Sequence, residues 1–461
     1  MGNAVAYAAL FAWPVVAILL FRALPPHRAI IWTILGGYLL LPVRTGIDLP
    51  LLPAFDKTSI PAFAALALCL PLLRRPTELL PRGRLPRLLT VVFLLAPFAT
   101  VAVNGDPVIV GPRVLPGLQP YDAFSFALSH AVFIVPFLLG QRFLADERAL
   151  RDLLIAVAVA GLIYSLPALF EVRMSPQLQR WVYGHGPQAF IQQIRFGGFR
   201  PVVFLGHGLA VALFVAMAFL AAIALWRGSA RSVRARWMLA AGWLGMTLVL
   251  CKTASAWAYA TILGPLLLAG RRLQRLALLL IGAAVLLYPI LRGADLVPTR
   301  QLEAAAALVS EERAGSLRYR FDNEDILLAR ANEQPLFGWG GWGRNRVFDP
   351  VTGRDVSVTD GWWIIVIGQY GWVGYLAEFG LLTLPLLLLA RRRIGGQAPF
   401  AAIALGIVLA ANLIDLLPNS GITPLTWMLA GALAGLLARA PATAPRSRAV
   451  RHSTMPKEIP S

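Results

Sequence analysis

Residues 202–226 read VVFLGHGLAVALFVAMAFLAAIALW, a stretch without a single Asp, Glu, Lys or Arg. Its length suits an α-helix that crosses the hydrocarbon core of a bilayer, which takes about 17–25 mostly apolar residues. The rest of the 461-residue chain has the same character, because 58% of its residues are hydrophobic and only 14% are charged. Soluble domains carry about 25% charged residues, and a single soluble core stops growing at roughly 250–300 residues. The composition therefore excludes a soluble enzyme and a disordered chain, and it indicates a membrane protein.

Twelve further apolar segments are predicted to form transmembrane helices. Together with the first, they comprise residues 5–21, 29–43, 60–73, 88–103, 123–139, 153–170, 202–226, 237–251, 256–270, 276–291, 362–389, 398–417 and 425–438. They predict an all-α membrane protein, a polytopic bundle of about 13 transmembrane helices with one long outer loop. We expect the first ten helices within residues 1–291, the loop at 292–361, the last three helices within 362–438 and a disordered cytoplasmic tail at 439–461.

Clusters of arginine between the apolar segments predict their orientation. They fall at residues 22–28, 74–87, 142–151, 227–236, 271–275 and 391–393, each time after an odd-numbered segment. Because cytoplasmic loops carry an excess of Lys and Arg, the N-terminus is expected outside and the C-terminus inside the cell. Since 20 of the 42 Lys and Arg residues lie in these clusters, as is typical of cytoplasmic loops, no nucleic-acid partner is expected. The first segment lacks a preceding basic region and is followed by Arg22, which favours a retained helix over a signal peptide.

Two predicted outer segments, residues 171–200 and 292–360, are too long to be simple turns and are therefore expected to be functional. The longer one contains two predicted surface helices, at 302–309 and 318–332. The basic side chains predicted on this side are Arg173, Arg180, Arg195, Arg200, Lys252, Arg318, Arg320, Arg344 and Arg346. One interpretation is ordinary ion pairing with acidic neighbours, because exposed pairs are common. The other is a clamp for an anionic lipid diphosphate, whose oxygens match the planar guanidinium fork.

The longer outer segment contains the Gly- and Trp-rich sequence PLFGWGGWGR at residues 335–344. Glycines let a backbone turn sharply and approach a ligand closely, while Trp339 and Trp342 suit an interface between lipid and water. The stretch is either an aromatic turn at the membrane surface or a platform for a sugar or lipid. Asp360 lies just before the next apolar segment, where a carboxylate either caps the helix or acts as a general base.

Several polar side chains lie inside predicted transmembrane segments, where lipid would penalise them. They are His130, Lys252, Glu378, Asn412 and Asp415. We expect them to face the bundle interior and to pair there, although Lys252 is close enough to a segment end to snorkel. His207 is either a buried, hydrogen-bonded histidine, which we favour, or part of a site. Both cysteines lie in apolar segments, and no paired Cys/His spacing indicates zinc, so neither a disulfide framework nor a metal site is expected.

In three stretches the chain resembles the O-antigen ligase and polymerase superfamily, bacterial polytopic membrane glycosyltransferases with a GT-C-like architecture. The stretches are SLRYR at 316–320, PLFGWG at 335–340 and the block at 360–374. Members typically have an arginine early in the long periplasmic loop and a Pro-Leu-x-Gly-x-Gly turn, followed by a His-Asn pair and a helix that ends in Glu-x-Gly-Leu-x-Gly. Gly371 and Gly374 match that spacing. The order of these stretches and the pattern of segments extend the resemblance over about residues 195–389.

The chain departs from the superfamily pattern at three places. Asp360 and Gly361 occupy the positions of the His-Asn pair, and Gln369 occupies that of the glutamate. Residues 251–253, Cys-Lys-Thr, fall where the family often has Ser-Arg-Gly. If the family's histidine removes the proton of the acceptor hydroxyl, Asp360 either replaces it as a base or removes the chemistry.

The resemblance implies an inverting glycosyltransferase of the bacterial inner (plasma) membrane that needs neither a metal nor a cofactor. Its partners would be membrane lipid, a glycan linked to a polyprenyl diphosphate such as undecaprenyl diphosphate, and a hydroxyl acceptor on lipid A core or on a growing polysaccharide. Arg200, Arg318 and Arg320 would hold the diphosphate, and Asp360 would be the base. The further residues predicted to bind substrate are Arg195, Lys252, Trp339, Trp342 and Arg344.

Two functions from other classes remain open. One is a transporter of a polysaccharide precursor, which would show a polar path to both membrane faces. The other is a non-catalytic relative that binds the lipid-linked glycan, which would place Asp360 away from the arginines. A ligase or polymerase should instead gather its polar groups beneath the long loop.

Overall fold

The computed structural model describes residues 2–49, 52–187, 190–195, 197–308, 311–391 and 399–439. The described part of the chain is mostly helical, and its α-helices are α1 (Ala4–Ala23), α2 (Pro26–Leu40), α3 (Ser59–Cys69), α4 (Arg84–Ala102), α5 (Pro120–Phe143), α6 (Glu147–Met174), α7 (Leu178–Tyr183), α8 (Gly208–Gly228), α9 (Arg231–Leu250), α10 (Ala254–Leu268), α11 (Arg271–Gly293), α12 (Thr299–Ala307), α13 (Glu311–Asn332), α14 (Trp362–Arg391), α15 (Phe400–Asp415) and α16 (Pro424–Ala438). Short 3₁₀ helices occur at Leu70–Leu72, Pro76–Leu79 and Phe190–Gln193. The described strands form three antiparallel hairpins: β1 (Gly46–Ile47) with β2 (Phe55–Asp56), β3 (Val108–Val110) with β4 (Arg113–Leu115), and β5 (Ile194–Arg195) with β6 (Gly198–Phe199).

Each of the thirteen apolar segments predicted from the sequence overlaps an α-helix. Among the described helices, seven are long and apolar enough to cross a membrane, namely α1, α4, α5, α6, α8, α11 and α14. Shorter apolar helices include α3, α10, α15 and α16. The two predicted surface helices correspond to α12 and α13, each of which begins earlier than expected. Arg392, Arg393 and residues 440–461 of the predicted tail lie outside the described residues.

Glycines let the backbones of α5 and α16 approach each other closely. A Cβ at Gly431 would lie 2.1 Å from the carbonyl oxygen of Phe137, and one at Gly435 would lie 2.2 Å from that of Gln141. The four-residue spacing places both glycines on one face of α16. Because lipid tails are as apolar as the side chains, helices in a membrane associate through close van der Waals packing of this kind.

Helix α14 is broken at Gly371, whose backbone has φ 61° and ψ −165°. Trp362 lies before the break and Glu378 beyond it, yet the indole Nε1 of Trp362 donates a hydrogen bond of 2.8 Å to Oε1 of Glu378. A straight helix would separate these two positions by about 24 Å. The two halves of α14 therefore bend sharply towards each other.

The Gly-rich turn at residues 335–340 closes this break. Four backbone hydrogen bonds join them: Trp339 N to Gly368 O (2.9 Å), Gly340 N to Gln369 O (2.9 Å), Trp372 N to Pro335 O (2.8 Å) and Val373 N to Leu336 O (3.1 Å). Backbone groups away from water must be paired within the protein, so the turn satisfies the groups that the break releases. A Cβ at Gly338 would lie 2.5 Å from the carbonyl carbon of Gln369, which explains the glycine at that position.

The structure corrects two predicted segments. Residues 362–389 were predicted as one continuous transmembrane helix, but the part before Gly371 rises only about 13 Å, which is too short to cross a bilayer. Residues 202–226 are helical only from Gly208, because His207 is the N-cap of α8 and the residues before it form a loop. Hydropathy reports the apolar character of both stretches but not the backbone conformation of single residues.

Candidate functional site

Three basic residues from separate parts of the chain lie near one another at one end of the bundle. Arg200 precedes α8, Lys252 lies between α9 and α10, and Arg320 lies on α13. Nε of Arg200 donates a hydrogen bond of 3.1 Å to the carbonyl oxygen of Lys252. The charges of Arg200 and Arg320 both act on His207, so both guanidinium groups lie near the same imidazole. These three residues, Arg200, Lys252 and Arg320, are called the cation cluster below.

Buried polar groups fix the loop at residues 200–207. The fully buried carboxylate of Glu171, near the end of α6, accepts hydrogen bonds of 2.7 Å from two successive backbone N–H groups of this loop. Nζ of Lys57 donates a hydrogen bond of 2.9 Å to the carbonyl oxygen of Phe204. Burial lowers the pKa of Lys57 to about 7. The position of the loop is thus set by the protein's own contacts.

The backbone next to the cation cluster is strained at two non-glycine residues. Val203 has φ 45° and Lys252 has φ 52°. A left-handed conformation is particularly unfavourable for a β-branched residue such as valine. Such conformations cost about 1–3 kcal/mol each, persist only where the surroundings impose them, and concentrate at functional sites.

Asp360 lies against the cation cluster. Its Oδ2 is 3.5 Å from Nε of Arg320, and the side chains of Asp360 and Arg320 are 38% and 31% exposed. The carboxylate is therefore both ion-paired and accessible to a ligand. The next residue, Gly361, approaches the end of α15 so closely that a Cβ would lie 2.2 Å from the carbonyl oxygen of Leu417. This contact accounts for a glycine directly after Asp360.

A second carboxylate, that of Asp415, lies deeper beside the cluster. It is buried, and its Oδ1 accepts hydrogen bonds of 2.9 Å from the hydroxyl of Tyr259 and from Nδ2 of Asn419. Arg320 interacts electrostatically with both Asp415 and Tyr259. The cluster is thus flanked by one accessible and one buried carboxylate.

Helices α8 and α15 pack against each other and differ in length. Gly228, at the end of α8, packs against the ring of Phe400, at the start of α15, so these ends of the two helices are level. At their other ends lie His207, the N-cap of α8, and Asp415. Because α15 has 16 residues and α8 has 21, α15 is shorter than α8 by about 8 Å of helix.

His207 is hydrogen-bonded through both ring nitrogens. Nδ1 accepts a hydrogen bond of 3.1 Å from the backbone N of Leu209, and Nε2 lies 3.3 Å from Oε1 of Gln192. These partners assign the ring hydrogen to Nε2. Burial, assisted by the charges of Arg200 and Arg320, lowers the pKa of His207. The neutral imidazole therefore serves as a helix cap, with its lone pair already engaged.

Two of the predicted arginines have acidic partners elsewhere. Arg195 pairs with Glu312 at 2.8 Å. Arg318 pairs with Glu303 of α12 at 3.2 Å, and its side chain is 66% exposed. The structure thus separates Arg318 from Arg320, although the two are only two residues apart.

Arg344 is buried and fastens the outer loop to the connection between α4 and α5. Its guanidinium donates hydrogen bonds to the carbonyl oxygens of Trp339, Pro116 and Asp106 at 3.1, 2.7 and 3.0 Å. Burial lowers its pKa, to which the charge of nearby Arg330 contributes. Its contacts are those of a structural residue.

The two tryptophans of the turn contact different neighbours. Nε1 of Trp339 donates a hydrogen bond of 2.8 Å to the carbonyl oxygen of Arg330, whose guanidinium lies 3.4 Å from the ring centroid. Trp342 donates to Asp122 at 3.2 Å and remains 64% exposed. Trp339 is therefore fixed by packing, whereas Trp342 presents an aromatic surface.

Polar side chains that were predicted inside the apolar segments are hydrogen-bonded, but to groups outside that predicted set. Nδ1 of His130 lies 2.7 Å from the carbonyl oxygen of Phe93, and Asn412 accepts a hydrogen bond of 2.6 Å from Thr426. Sequence reasoning missed Glu171 and Tyr259, the groups that position the loop and the buried carboxylate. Glu171 could have been found, because a glutamate directly after an apolar segment is unusual, whereas nothing in the sequence distinguishes Tyr259 from other aromatic residues in such segments.

Among the described residues, no group of three or more His, Cys, Asp or Glu side chains is arranged to hold a metal ion. In comparisons with known proteins, no family model matches the chain and no curated protein matches it. The chemistry of the cation cluster and its carboxylates is therefore the basis for assigning a function.

Proposed function

We propose that the protein is an inner-membrane glycosyltransferase of the O-antigen ligase and polymerase kind. It transfers a glycan from a polyprenyl-diphosphate carrier to a hydroxyl of lipid A core or of a growing polysaccharide. The observation that carries the proposal is the meeting of the cation cluster with the accessible carboxylate of Asp360. Guanidinium groups bind phosphate oxygens through paired, charge-assisted hydrogen bonds, and an adjacent carboxylate supplies a base.

In the proposed reaction Asp360 accepts the proton of the acceptor hydroxyl. The acceptor oxygen attacks the anomeric carbon of the donor sugar from the face opposite to the diphosphate. The bond between that carbon and the diphosphate oxygen breaks, the leaving diphosphate retains the electron pair, and the configuration inverts. Arg200, Lys252 and Arg320 stabilise the negative charge that develops on the leaving group.

The position of the cluster at the ends of apolar helices supports a lipid-linked donor. Lys252 lies just before the apolar helix α10 and Asp415 ends the apolar helix α15, so a diphosphate at the cluster can remain close to the bilayer that holds its polyprenyl chain. The proposal places this end of the bundle on the periplasmic side, with thirteen transmembrane segments, a periplasmic N-terminus and a cytoplasmic C-terminus. The arginine clusters between the apolar segments support that orientation.

Transfer from a defined undecaprenyl-diphosphate-linked glycan to an acceptor, with purified protein in lipid nanodiscs, tests the proposal. Arg320→Ala should lower the rate by about 10²–10³-fold, because it removes a preorganised charge from the leaving group. Asp360→Asn keeps the shape of the side chain but removes the base, and should lower the rate by about 10²–10⁴-fold.

Arg318→Ala is the matched comparison, because Arg318 lies on the same helix but pairs with Glu303. Its loss of rate should be much smaller than that of Arg320→Ala. Equal losses in the two arginine variants, or unchanged transfer in Arg320→Ala, would contradict the assigned roles. Donor binding without any transfer by the wild-type protein would indicate a non-catalytic binding protein instead.

A further inference from the structure

A second cluster of arginines lies at the opposite end of the bundle, around a cavity between α6, α8, α11 and α15. The cavity has a volume of about 380 Å³ and is lined by Arg151, Arg227 and Arg271. It lies beside Gly228 and Phe400, at the far ends of α8 and α15 from the cation cluster. The proposed glycosyl transfer does not use this cavity.

The arginines reach the cavity from three different helices. Arg151 lies near the start of α6, Arg227 near the end of α8 and Arg271 at the start of α11. Glu147 is the one acidic residue among those that line the cavity, so these four side chains carry a net charge of +2, from three positive charges and one negative charge. A site with this balance favours an anion.

One wall of the cavity is built from a fixed cation above an aromatic ring. Nη1 of Arg227 donates to the carbonyl oxygen of Ala269 at 2.9 Å and also to that of Leu267, at the end of α10. Its guanidinium lies 5.4 Å from the ring centroid of Phe400. These contacts hold the charge of Arg227 in place before any ligand arrives, which reduces the entropy lost on binding.

The lining combines these charges with apolar side chains, among them Leu154 and Phe400. A free anion needs only the charges, whereas a lipid offers a phosphate to the arginines and acyl chains to the apolar wall. Basic pockets between transmembrane helices at the cytoplasmic face bind anionic lipid headgroups, and the volume lies within the range of about 300–1,000 Å³ that is typical of ligand sites. We propose that this cavity binds the phosphate headgroup of an anionic phospholipid, in the leaflet opposite to the cation cluster.

Thermal unfolding in a zwitterionic detergent, with defined lipids added, tests the proposal. Phosphatidylglycerol should raise the Tm of the wild-type protein in a saturable manner, whereas phosphatidylcholine should not. Arg151→Ala should weaken the apparent affinity for phosphatidylglycerol by about tenfold or more, because one charge-assisted contact is lost. Arg151 is exposed, so this variant should fold normally. Arg151→Lys, which keeps the charge without the planar fork, should recover part of the affinity.

Arg148→Ala is the matched control, because Arg148 is exposed on the same first turns of α6 but does not line the cavity. It should respond to phosphatidylglycerol as the wild type does. Equal stabilisation by the two lipids, or equal responses of Arg148→Ala and Arg151→Ala, would overturn the proposal. Inorganic phosphate that reproduces the full Tm increase would overturn the assignment to a lipid and leave a site for free anions.

Discussion

Replacing Gly371 by alanine should destabilise the protein by about 2–6 kcal/mol. The backbone at this residue, φ 61° and ψ −165°, lies in a region that is almost restricted to glycine and costs other residues about 1–3 kcal/mol. The added Cβ would also lie 2.4 Å from the carbonyl carbon and oxygen of Leu336, and overpacking of this kind costs about 1–3 kcal/mol. Natural proteins are stable by only about 5–15 kcal/mol, so the sum is a large fraction of the whole.

Two other glycines separate the two contributions. Gly197 has φ 66° but has nothing within 4 Å of a Cβ, so Gly197→Ala should show only the conformational cost of about 1–2 kcal/mol. Gly242 lies within α9 and also has open space around it. Gly242→Ala should therefore leave the stability unchanged or raise it by up to about 1 kcal/mol.

Unfolding by sodium dodecyl sulfate in mixed micelles, followed by tryptophan fluorescence, measures the three variants. The unfolding free energy is expected to decrease in the order Gly242→Ala, wild type, Gly197→Ala and Gly371→Ala. A Gly371→Ala protein as stable as wild type would refute the reasoning, because it would mean that α14 does not break where the backbone hydrogen bonds require it. Equal losses in Gly371→Ala and Gly197→Ala would refute the steric contribution of Leu336.

Three further outcomes are expected. Arg344→Ala should lower the unfolding free energy by about 2–5 kcal/mol in the same assay, because buried carbonyl oxygens lose their hydrogen-bond donor. Arg344→Lys should not restore the full stability, since one ammonium group cannot replace the several donors of the planar guanidinium. Arg320→Ala should raise the pKa of His207, because a neighbouring positive charge is removed. NMR of ¹⁵N-labelled histidine measures this pKa. An unchanged value would mean that Arg320 does not lie close to the imidazole. The pKa of Lys57, near 7 in the folded protein against about 10.4 unfolded, means that the unfolded chain binds more protons between these values. The unfolding free energy should therefore rise with pH from about 7 to 10.4 in the wild type, level off below 7, and lose this dependence in Lys57→Met.

The sequence predicted the helices well and the break in α14 not at all. Apolar segments as short as α10 and α15 stand out because polar residues bound them on both sides. The break at Gly371 depends on four hydrogen bonds between residues that lie 29 to 37 positions apart in the chain. Hydropathy averages over neighbours along the chain, and so it contains no information about such long-range pairing.

The sequence named the residues that form the candidate site, but it could not show which of the other predicted residues lie outside it. Arg200, Lys252, Arg320 and Asp360 were named from the sequence, and the structure brings them together. Arg318 could not be distinguished from Arg320, because residues two apart on a helix point about 200° apart and the sequence does not show which face meets the bundle. The burial of Arg344 likewise depends on carbonyl oxygens from a distant connection.

The backbone ladder between the Gly-rich turn and α14 also determines how the long loop can move. Residues 335–340 are hydrogen-bonded to the backbone of α14, so this part of the loop cannot move without breaking those hydrogen bonds. The earlier part of the loop has fewer buried groups. Helix α12 is exposed or half-buried throughout, and its Glu303 pairs with the exposed side chain of Arg318 on α13. If the proposed transfer requires the loop to open for a bulky glycan, we expect the movement at α12 rather than at residues 335–340.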